Sequence, residues 1–334
     1  MSNLKKILTN KIPCKSIWFM RQAGRYLPEF REIRSKNPNF INLCLNSELS
    51  SEITLQPIKR FDLDSAIIFS DILMVPFALG QNVDFIKGDG PKLSQFEIKP
   101  FLNKNEKDFY QKLNPVYKAI ETTRKKLKNN KSLICFVGAP WTLLIYMFGL
   151  KKDNNELDIN KFNNIKFKLE ELLDKLNDFL CIHIKKQIEA GADVVQIFDS
   201  WAGILPEKDI KNLCYKPNAK LVEFCKREKI SNICFPKGLK DKLSEFNQFV
   251  KPDGINLDPE IDPLWAKEKL KNVVLQGGLN PKKLLGTEEE MLSAATKYIN
   301  SFKDIPYVFN LGHGLLPETD PDRVEKLIKF YREN

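Results

Sequence analysis

Gly191-Ala192-Asp193-Val194-Val195-Gln196-Ile197-Phe198-Asp199-Ser200-Trp201-Ala202-Gly203 is the stretch that decides the fold class. Asp193–Phe198 is a short run dominated by Val, Ile and Phe, opened after Gly191 and closed by the polar turn Asp199-Ser200. A run of this length is short for a helix, and its nearly unbroken apolar character suits a strand covered on both faces. Amphipathic stretches flank it, Asn160–Ala190 before and Glu207–Lys229 after. The unit is helix, buried strand, polar turn, helix, which is the repeat of a parallel α/β protein.

The same unit recurs in both directions. Further apolar runs are Ser16–Met20, Ala66–Phe69, Leu133–Val137, Asn232–Phe235, Gly254–Leu257, Val273–Gln276 and Tyr307–Asn310. Amphipathic stretches follow at Ser47–Arg60, Glu106–Lys128, Leu239–Val250, Pro263–Leu270, Thr287–Phe302 and Pro321–Arg332. Thr287 with Glu290 forms a capping-box pattern, and Asp320 before Pro321 an N-cap followed by an N1 proline. Eight β/α repeats joined by right-handed crossovers predict a closed (β/α)8 TIM barrel. An open doubly wound sheet is the competing architecture, but no GxGxxG follows the first run and no P-loop occurs. No linker interrupts the chain, so residues 1–334 are expected to form a single domain.

Composition narrows the function. The 334 residues are 43% hydrophobic and 29% charged, which excludes a disordered chain, and the apolar run Ile72–Leu79 is too short to span a bilayer. Seven cysteines without a CxxC pair predict free thiols and a cytoplasmic location. The acid-poor start, Met1–Pro28, is read as part of the mature protein and not as a targeting peptide. The net charge of +10 comes mostly from scattered lysines, which describe solvated faces better than a nucleic-acid surface. Arginine is different: of only nine, Arg21, Arg25, Arg31 and Arg34 share one short segment. Their rigid forks pair bidentately with carboxylate or phosphate, so the cluster points to an anionic ligand.

A barrel places its chemistry on the loops after the strands. Those loops here hold Arg21–Arg25, Ser70-Asp71, Gly138-Ala139-Pro140-Trp141, Asp199–Gly203, Pro236-Lys237-Gly238, Asp258, Gly277-Gly278 and Gly312-His313-Gly314. Asp71 is either a helix cap or a carboxylate poised against a developing cation. Tyr146 is either a core aromatic or a hydroxyl donor, and Ser200 either a turn residue or a ligand contact. His313, between two glycines, is a candidate site residue, whereas His183 falls inside the helical stretch Asn160–Ala190. Two histidines without a His-x-Cys pair predict no metal site, and no Gly-x-Ser-x-Gly elbow marks a nucleophile.

The segment Trp18-Phe19-Met20-Arg21-Gln22-Ala23-Gly24-Arg25-Tyr26-Leu27-Pro28-Glu29-Phe30-Arg31 resembles the N-terminal signature of the uroporphyrinogen decarboxylase family. Ile67–Leu73, Gly88–Pro91, Gly138–Leu143, Phe198–Gly203 and Asn310–Gly314 agree with it in order, so the resemblance spans nearly the whole chain. One departure is Leu275–Pro281, where the family more usually has Asn and Asp at the positions of Gly278 and Asn280. The resemblance implies a cytoplasmic, cofactor-free homodimer that decarboxylates the four acetate arms of uroporphyrinogen III to give coproporphyrinogen III. It implies a substrate site of Arg21, Gln22, Ala23, Gly24, Arg25, Asp71, Tyr146, Ser200 and His313. In it Asp71 stabilises the transition state and Arg21 is a candidate acid. A corrinoid- or thiol-dependent methyltransferase would share the architecture but needs a His and Cys zinc set. A nucleic-acid-binding protein would need a basic stripe with stacking residues.

Overall fold

A strand that is apolar on both faces needs two cores, and the structure supplies them. The computed structural model describes residues 2–86 and 90–334; the predicted motif residues Gly88 and Asp89 lie outside them. Nine strands form among the described residues: β1 (Ser65–Ile67), β2 (Val83–Ile86), β3 (Gly90–Leu93), β4 (Ser132–Gly138), β5 (Val194–Asp199), β6 (Ser231–Pro236), β7 (Gly254–Leu257), β8 (Val274–Gly277) and β9 (Tyr307–Val308). Seven make one parallel sheet in the order β1-β4-β5-β6-β7-β8-β9, while β2 and β3 pair as an antiparallel hairpin outside it.

The two cores follow the period of two along each strand. Ile67, Ile134, Val194, Ile233, Val274 and Val308 meet in one buried cluster inside the curl of the sheet. Their neighbours Ala66, Leu133, Val195, Cys234 and Leu275 belong to the larger cluster beneath the surrounding helices. An N-terminal helix, Asn3–Asn10, closes the bottom of the inner cluster with Leu4, Ile7 and Leu8. The fit is tight enough that a Cβ on Gly254 would lie 3.1 Å from both Ile233 and Leu8.

The run Ser16–Met20 is not a regular strand, contrary to its apolar pattern. Three of its backbone donors are taken by side chains: Ile17 N–H by Asp64 Oδ2 at 2.7 Å, Phe19 N–H by Gln22 Oε1 at 3.0 Å, and Met20 N–H by Asn310 Oδ1 at 3.1 Å, while Trp18 N–H donates to Phe309 O at 3.3 Å. Only Ile17 keeps a parallel bridge, to Phe309, with Asp64 N–H donating to Ile17 O on its other side. The run still lies between the two edges of the sheet and sends Trp18 and Met20 into the inner cluster.

Helices form where the amphipathic pattern places them, but three are broken by proline or by local tightening. Glu106–Lys112 ends one residue before Asn114–Lys126, whose second residue is Pro115. Residues 207–227 pass through a π turn at Lys211–Tyr215, just before Pro217, whose missing N–H shifts the hydrogen-bond ladder. A 3-10 turn at Lys166–Lys168 divides Ile159–Ile165 from Leu169–Glu189. Both predicted N-termini are present: Thr287 and Glu290 complete a reciprocal capping box, and Asp320 accepts from Asp322 N–H.

Above the apolar inner layer lies a buried polar one. Trp18 Nε1 donates to Gln276 Oε1 at 2.9 Å, and Gln276 Nε2 donates to Asn256 Oδ1 at 2.9 Å and Gln196 Oε1 at 3.1 Å. This linked set, in which Gln196 Nε2 alone finds no partner among the described residues, fixes the relative heights of β5, β7 and β8, and with them the loops above.

Candidate active site

The site is built on those loops. Arg21 sits at φ +60°, a left-handed backbone that a non-glycine residue adopts at a cost of order 1 kcal/mol. The turn around it is closed by Gln22 N–H to Phe19 O at 3.0 Å and Leu27 N–H to Gly24 O at 3.0 Å. Gly24 is required here because a Cβ would come within 2.8 Å of Arg21 O. The Arg21 side chain lies across Gly314, where a Cβ would sit 2.6 Å from Arg21 Cγ. The glycine after His313 is what lets this guanidinium reach across the mouth.

The four clustered arginines divide into two pairs. Arg31 Nη1 donates to the carbonyls of Arg25 and Tyr26, both at 2.9 Å, and so braces the turn from behind. Arg34 donates to Asn37 O and lies over the Phe40 ring. Arg21 and Arg25 are left exposed at the mouth. Gln22 points the other way: it is fully buried, with Nε2 donating to Ser65 O at 2.9 Å and Oε1 accepting from Phe19 N–H. Its amide ties the Ser16–Met20 run to β1 and has no end free for a ligand. Ala23 is half-buried on the same turn.

Asp71 follows β1 at the end of a backbone held by the helix Ser47–Arg60, through Thr54 Oγ1 to Phe69 N–H at 2.8 Å and Ser50 Oγ to Phe69 O at 2.6 Å. Asp71 Oδ1 accepts from Leu73 N–H at 2.8 Å, so the capping role exists. The other oxygen makes no hydrogen bond among the described residues. Burial pushes this carboxyl up from its ordinary 3.8 to about 6, against the opposing pull of Leu73 N–H and the Arg21 charge. Arg21 feels the converse: surrounding protein lowers its pKa, Asp71 raises it, and Arg25 lowers it.

Tyr146, on the helix Pro140–Met147, completes this side. Burial raises its phenol, and both Asp71 and Arg21 act on it. Its ring meets Trp201 edge-on at 6.3 Å. His313 faces the same space: burial, then the charges of Lys237 and Arg21, hold its imidazole down at about 4. Its Nδ1 accepts from Gly314 N–H at 2.7 Å, which leaves the proton on Nε2 as a neutral donor. Arg21, Arg25, Asp71, Tyr146 and His313 therefore come together. Ser200 is half-buried on the turn after β5, and its hydroxyl makes no hydrogen bond among the described residues.

That turn is held by a residue that sequence reading left without a role. Asp199 is fully buried and accepts from Thr142 Oγ1 at 2.7 Å and Asn218 Nδ2 at 2.9 Å. Lys237 and Asp258 likewise had no assigned role, although each lies two residues beyond an inward-facing residue, Phe235 and Asn256. His183 is buried against Tyr117, 3.0 Å from its hydroxyl, and takes no part in the site.

This constellation can bind carboxylates through two guanidiniums and a neutral imidazole N–H, and can hold one carboxylate against a cationic group. A sequence model of the family described as Uroporphyrinogen decarboxylase (URO-D) matches residues 3–334. The chain belongs to the uroporphyrinogen decarboxylase family. It is 41% identical to a uroporphyrinogen decarboxylase of Rickettsia bellii over 98% of this chain and 96% of that one. It is 42% identical to one from Orientia tsutsugamushi strain Ikeda, over 95% and 93% of the two chains. Among solved structures, a methyltransferase from Methanosarcina mazei superposes with a TM-score of 0.78 at 17% identity, covering 99% of this chain and 97% of that one. At that identity the likeness is one of fold.

In this member of the uroporphyrinogen decarboxylase family, no three His, Cys, Asp or Glu side chains among the described residues gather as a metal-binding set. No helix among them is long and apolar enough to cross a membrane. At the two departures from the family pattern, Gly278 adopts φ +99° with the Tyr298 ring where a side chain would stand, and Tyr298 OH donates to Gly278 O at 2.7 Å. Asn280 caps the 3-10 turn Pro281–Leu285 through its side-chain oxygen, as an Asp would.

Proposed function

We propose that this protein removes carbon dioxide from the four acetate arms of uroporphyrinogen III, giving coproporphyrinogen III for tetrapyrrole biosynthesis. It acts without a cofactor, as a cytoplasmic homodimer. The observation that carries this reading is the half-buried Asp71 carboxylate beside Arg21 at the end of β1, in a chain of this family.

The chemistry follows from the charges. Protonation of a pyrrole carbon makes the ring an iminium-like cation. The electron pair of the breaking C–C bond then flows into that ring as carbon dioxide leaves; a second proton added to the exocyclic carbon completes the methyl group, and the first proton departs from the ring carbon to restore the neutral pyrrole. Asp71 accepts from the pyrrole N–H groups and stabilises the cation, an interaction strengthened by its partial removal from water. Arg21, Arg25 and His313 Nε2–H grip carboxylate arms, each charge-assisted bond contributing about 1.5–3 kcal/mol. Tyr146 and Ser200 add hydroxyl contacts; Gln22, Ala23 and Gly24 shape the turn that presents Arg21. Arg21 is also the candidate proton donor, and its lowered pKa is in the right direction for that task.

The closed (β/α)8 barrel belongs to the same proposal. Its support is the Ile17–Phe309 bridge on one side of the Ser16–Met20 run and the Asp64 N–H to Ile17 O bond at 2.9 Å on the other. The whole chain then forms one domain around one site.

The test is anaerobic incubation of the purified protein with uroporphyrinogen III and no added metal. The products are oxidised and resolved by carboxylate number. Stepwise loss of four carboxylates, abolished in a folded Asp71→Ala variant, is the expected result. A folded wild type that converts nothing would overturn the assignment.

A further inference from the structure

Lys237 is the residue immediately after β6, and its backbone is held from three directions. Its N–H donates to Asp199 O at 3.1 Å, its carbonyl accepts from Gly203 N–H at 2.9 Å, and the next residue's N–H donates to Asp258 Oδ2 at 2.8 Å. Gly203 and Gly238 touch so closely that a Cβ on Gly203 would meet Gly238 O at 2.6 Å, which locks the loops after β5 and β6 together. The half-buried side chain is treated quite differently. Its ammonium takes no hydrogen bond and lies within 4 Å of no carboxylate among the described residues. A cation on a fixed backbone with an unengaged head group is preorganised for an external anion.

Its position says where that anion lies. Phe235, two residues earlier on β6, points into the inner cluster, and a tight turn, with Lys237 N–H donating to Phe235 O at 3.0 Å, carries Lys237 off the strand end into the loop layer above that cluster. In the sheet order β6 is the middle strand, whereas the Ser16–Met20 run that presents Arg21 lies between the two edges. Lys237 and Arg21 both act on His313, so two cations carried by separate parts of the sheet border one space. Beside Lys237, Asp258 is buried, with Oδ2 engaged by Gly238 and Oδ1 lacking any partner among the described residues.

We infer that Lys237 is a further substrate-anchoring residue, gripping a carboxylate arm across the mouth from Arg21 and Arg25, with Asp258 positioning its loop. This deepens the decarboxylase reading and rests on it. A macrocycle carrying carboxylates around its whole rim needs cations on more than one side, and the Arg21 turn supplies only one.

The experiment compares Lys237→Gln and Lys237→Arg with wild type in two assays. In turnover of uroporphyrinogen III, Lys237→Gln is expected to raise KM about tenfold or more, the loss of one charge-assisted contact, with kcat changed less. Lys237→Arg recovers most of the loss, and the melting temperatures stay within a few degrees of wild type. In the second assay, anaerobic equilibrium binding of uroporphyrinogen III is read by tryptophan fluorescence with Asp71→Asn present throughout to block turnover. Kd is expected to rise by the same factor. A KM and Kd for Lys237→Gln within twofold of the reference overturn the inference. So does an Arg variant as impaired as the Gln variant with a lowered melting temperature, which marks a structural lysine. If wild type converts nothing, the decarboxylase reading fails, while the binding assay still decides whether Lys237 holds the polycarboxylate.

Discussion

Asp71→Asn should stop catalysis and strengthen the fold in the same stroke. The carboxyl is raised from its ordinary 3.8 to about 6 chiefly by burial, so the folded state holds its ionised form poorly. A folded pKa above the unfolded one means that the proton contributes stability below pH 3.8, and that this is lost as pH rises through 6. Two units at about 1.4 kcal/mol each give a loss of roughly 3 kcal/mol above pH 7, of which about half has accrued by pH 5. Asparagine is nearly isosteric, keeps the acceptor for Leu73 N–H, and does not titrate. Its cost is the lost attraction to Arg21, which is exposed, so the loss is under about 1 kcal/mol.

The measurement is urea denaturation of both proteins at pH 5 and pH 7.5. Other titrating groups are common to the two chains and cancel in the difference. The variant is expected to gain on the wild type by about 1–1.5 kcal/mol between the two pH values, and to be the more stable protein at pH 7.5. Turnover of uroporphyrinogen III should fall by about 100-fold or more, the usual scale for removing a preorganised electrostatic group. A difference that is flat with pH, or an asparagine variant less stable at pH 7.5, would refute the claim that this carboxylate is held at an electrostatic cost for the sake of function.

The same carboxylate sets the pH profile. Because Asp71 must be ionised and titrates near 6, kcat/KM should fall on the acid side with an apparent pKa of about 6; His313, at about 4, is neutral throughout and His313→Asn should leave that limb in place. Gly314→Ala puts a methyl group 2.6 Å from Arg21 Cγ and should displace the guanidinium, raising KM about tenfold with a melting temperature within a few degrees of wild type. Gln22→Ala leaves Phe19 N–H and Ser65 O without partners in a fully buried place; it should cost about 2–4 kcal/mol by denaturant unfolding, while surviving folded enzyme keeps its KM. A Gln22→Ala protein of native stability with a raised KM would make Gln22 a substrate contact after all.

The regular strands were legible because each is apolar on both faces, and a run such as Asp193–Phe198 has few other places to go. Ser16–Met20 carried the same signal and still failed to become a strand. Three of its donors were claimed by Asp64, Gln22 and Asn310, two of them far away in sequence, and apolar periodicity holds no information about such captures. The N-terminal helix went unread although Leu4, Ile7 and Leu8 have helical spacing, because a plug beneath the curled sheet has no strand beside it to announce it. Site residues divide the same way. Arg21, Asp71 and His313 stand out as chemistry at strand ends, but a residue type cannot say which way a side chain turns. Arg31 and Gln22 occupy the same motif as Arg21 and spend their polar atoms on backbone carbonyls and an N–H. Lys237 was hidden for the opposite reason, as one lysine among many in a chain of net charge +10; only its rigid backbone and unengaged ammonium distinguish it. A short, dense motif at the loop end of the curled sheet thus mixes groups that meet the ligand with groups that hold the first kind still, and the substitutions at Asp71, Gly314, Gln22 and Lys237 separate the two by whether KM or stability moves.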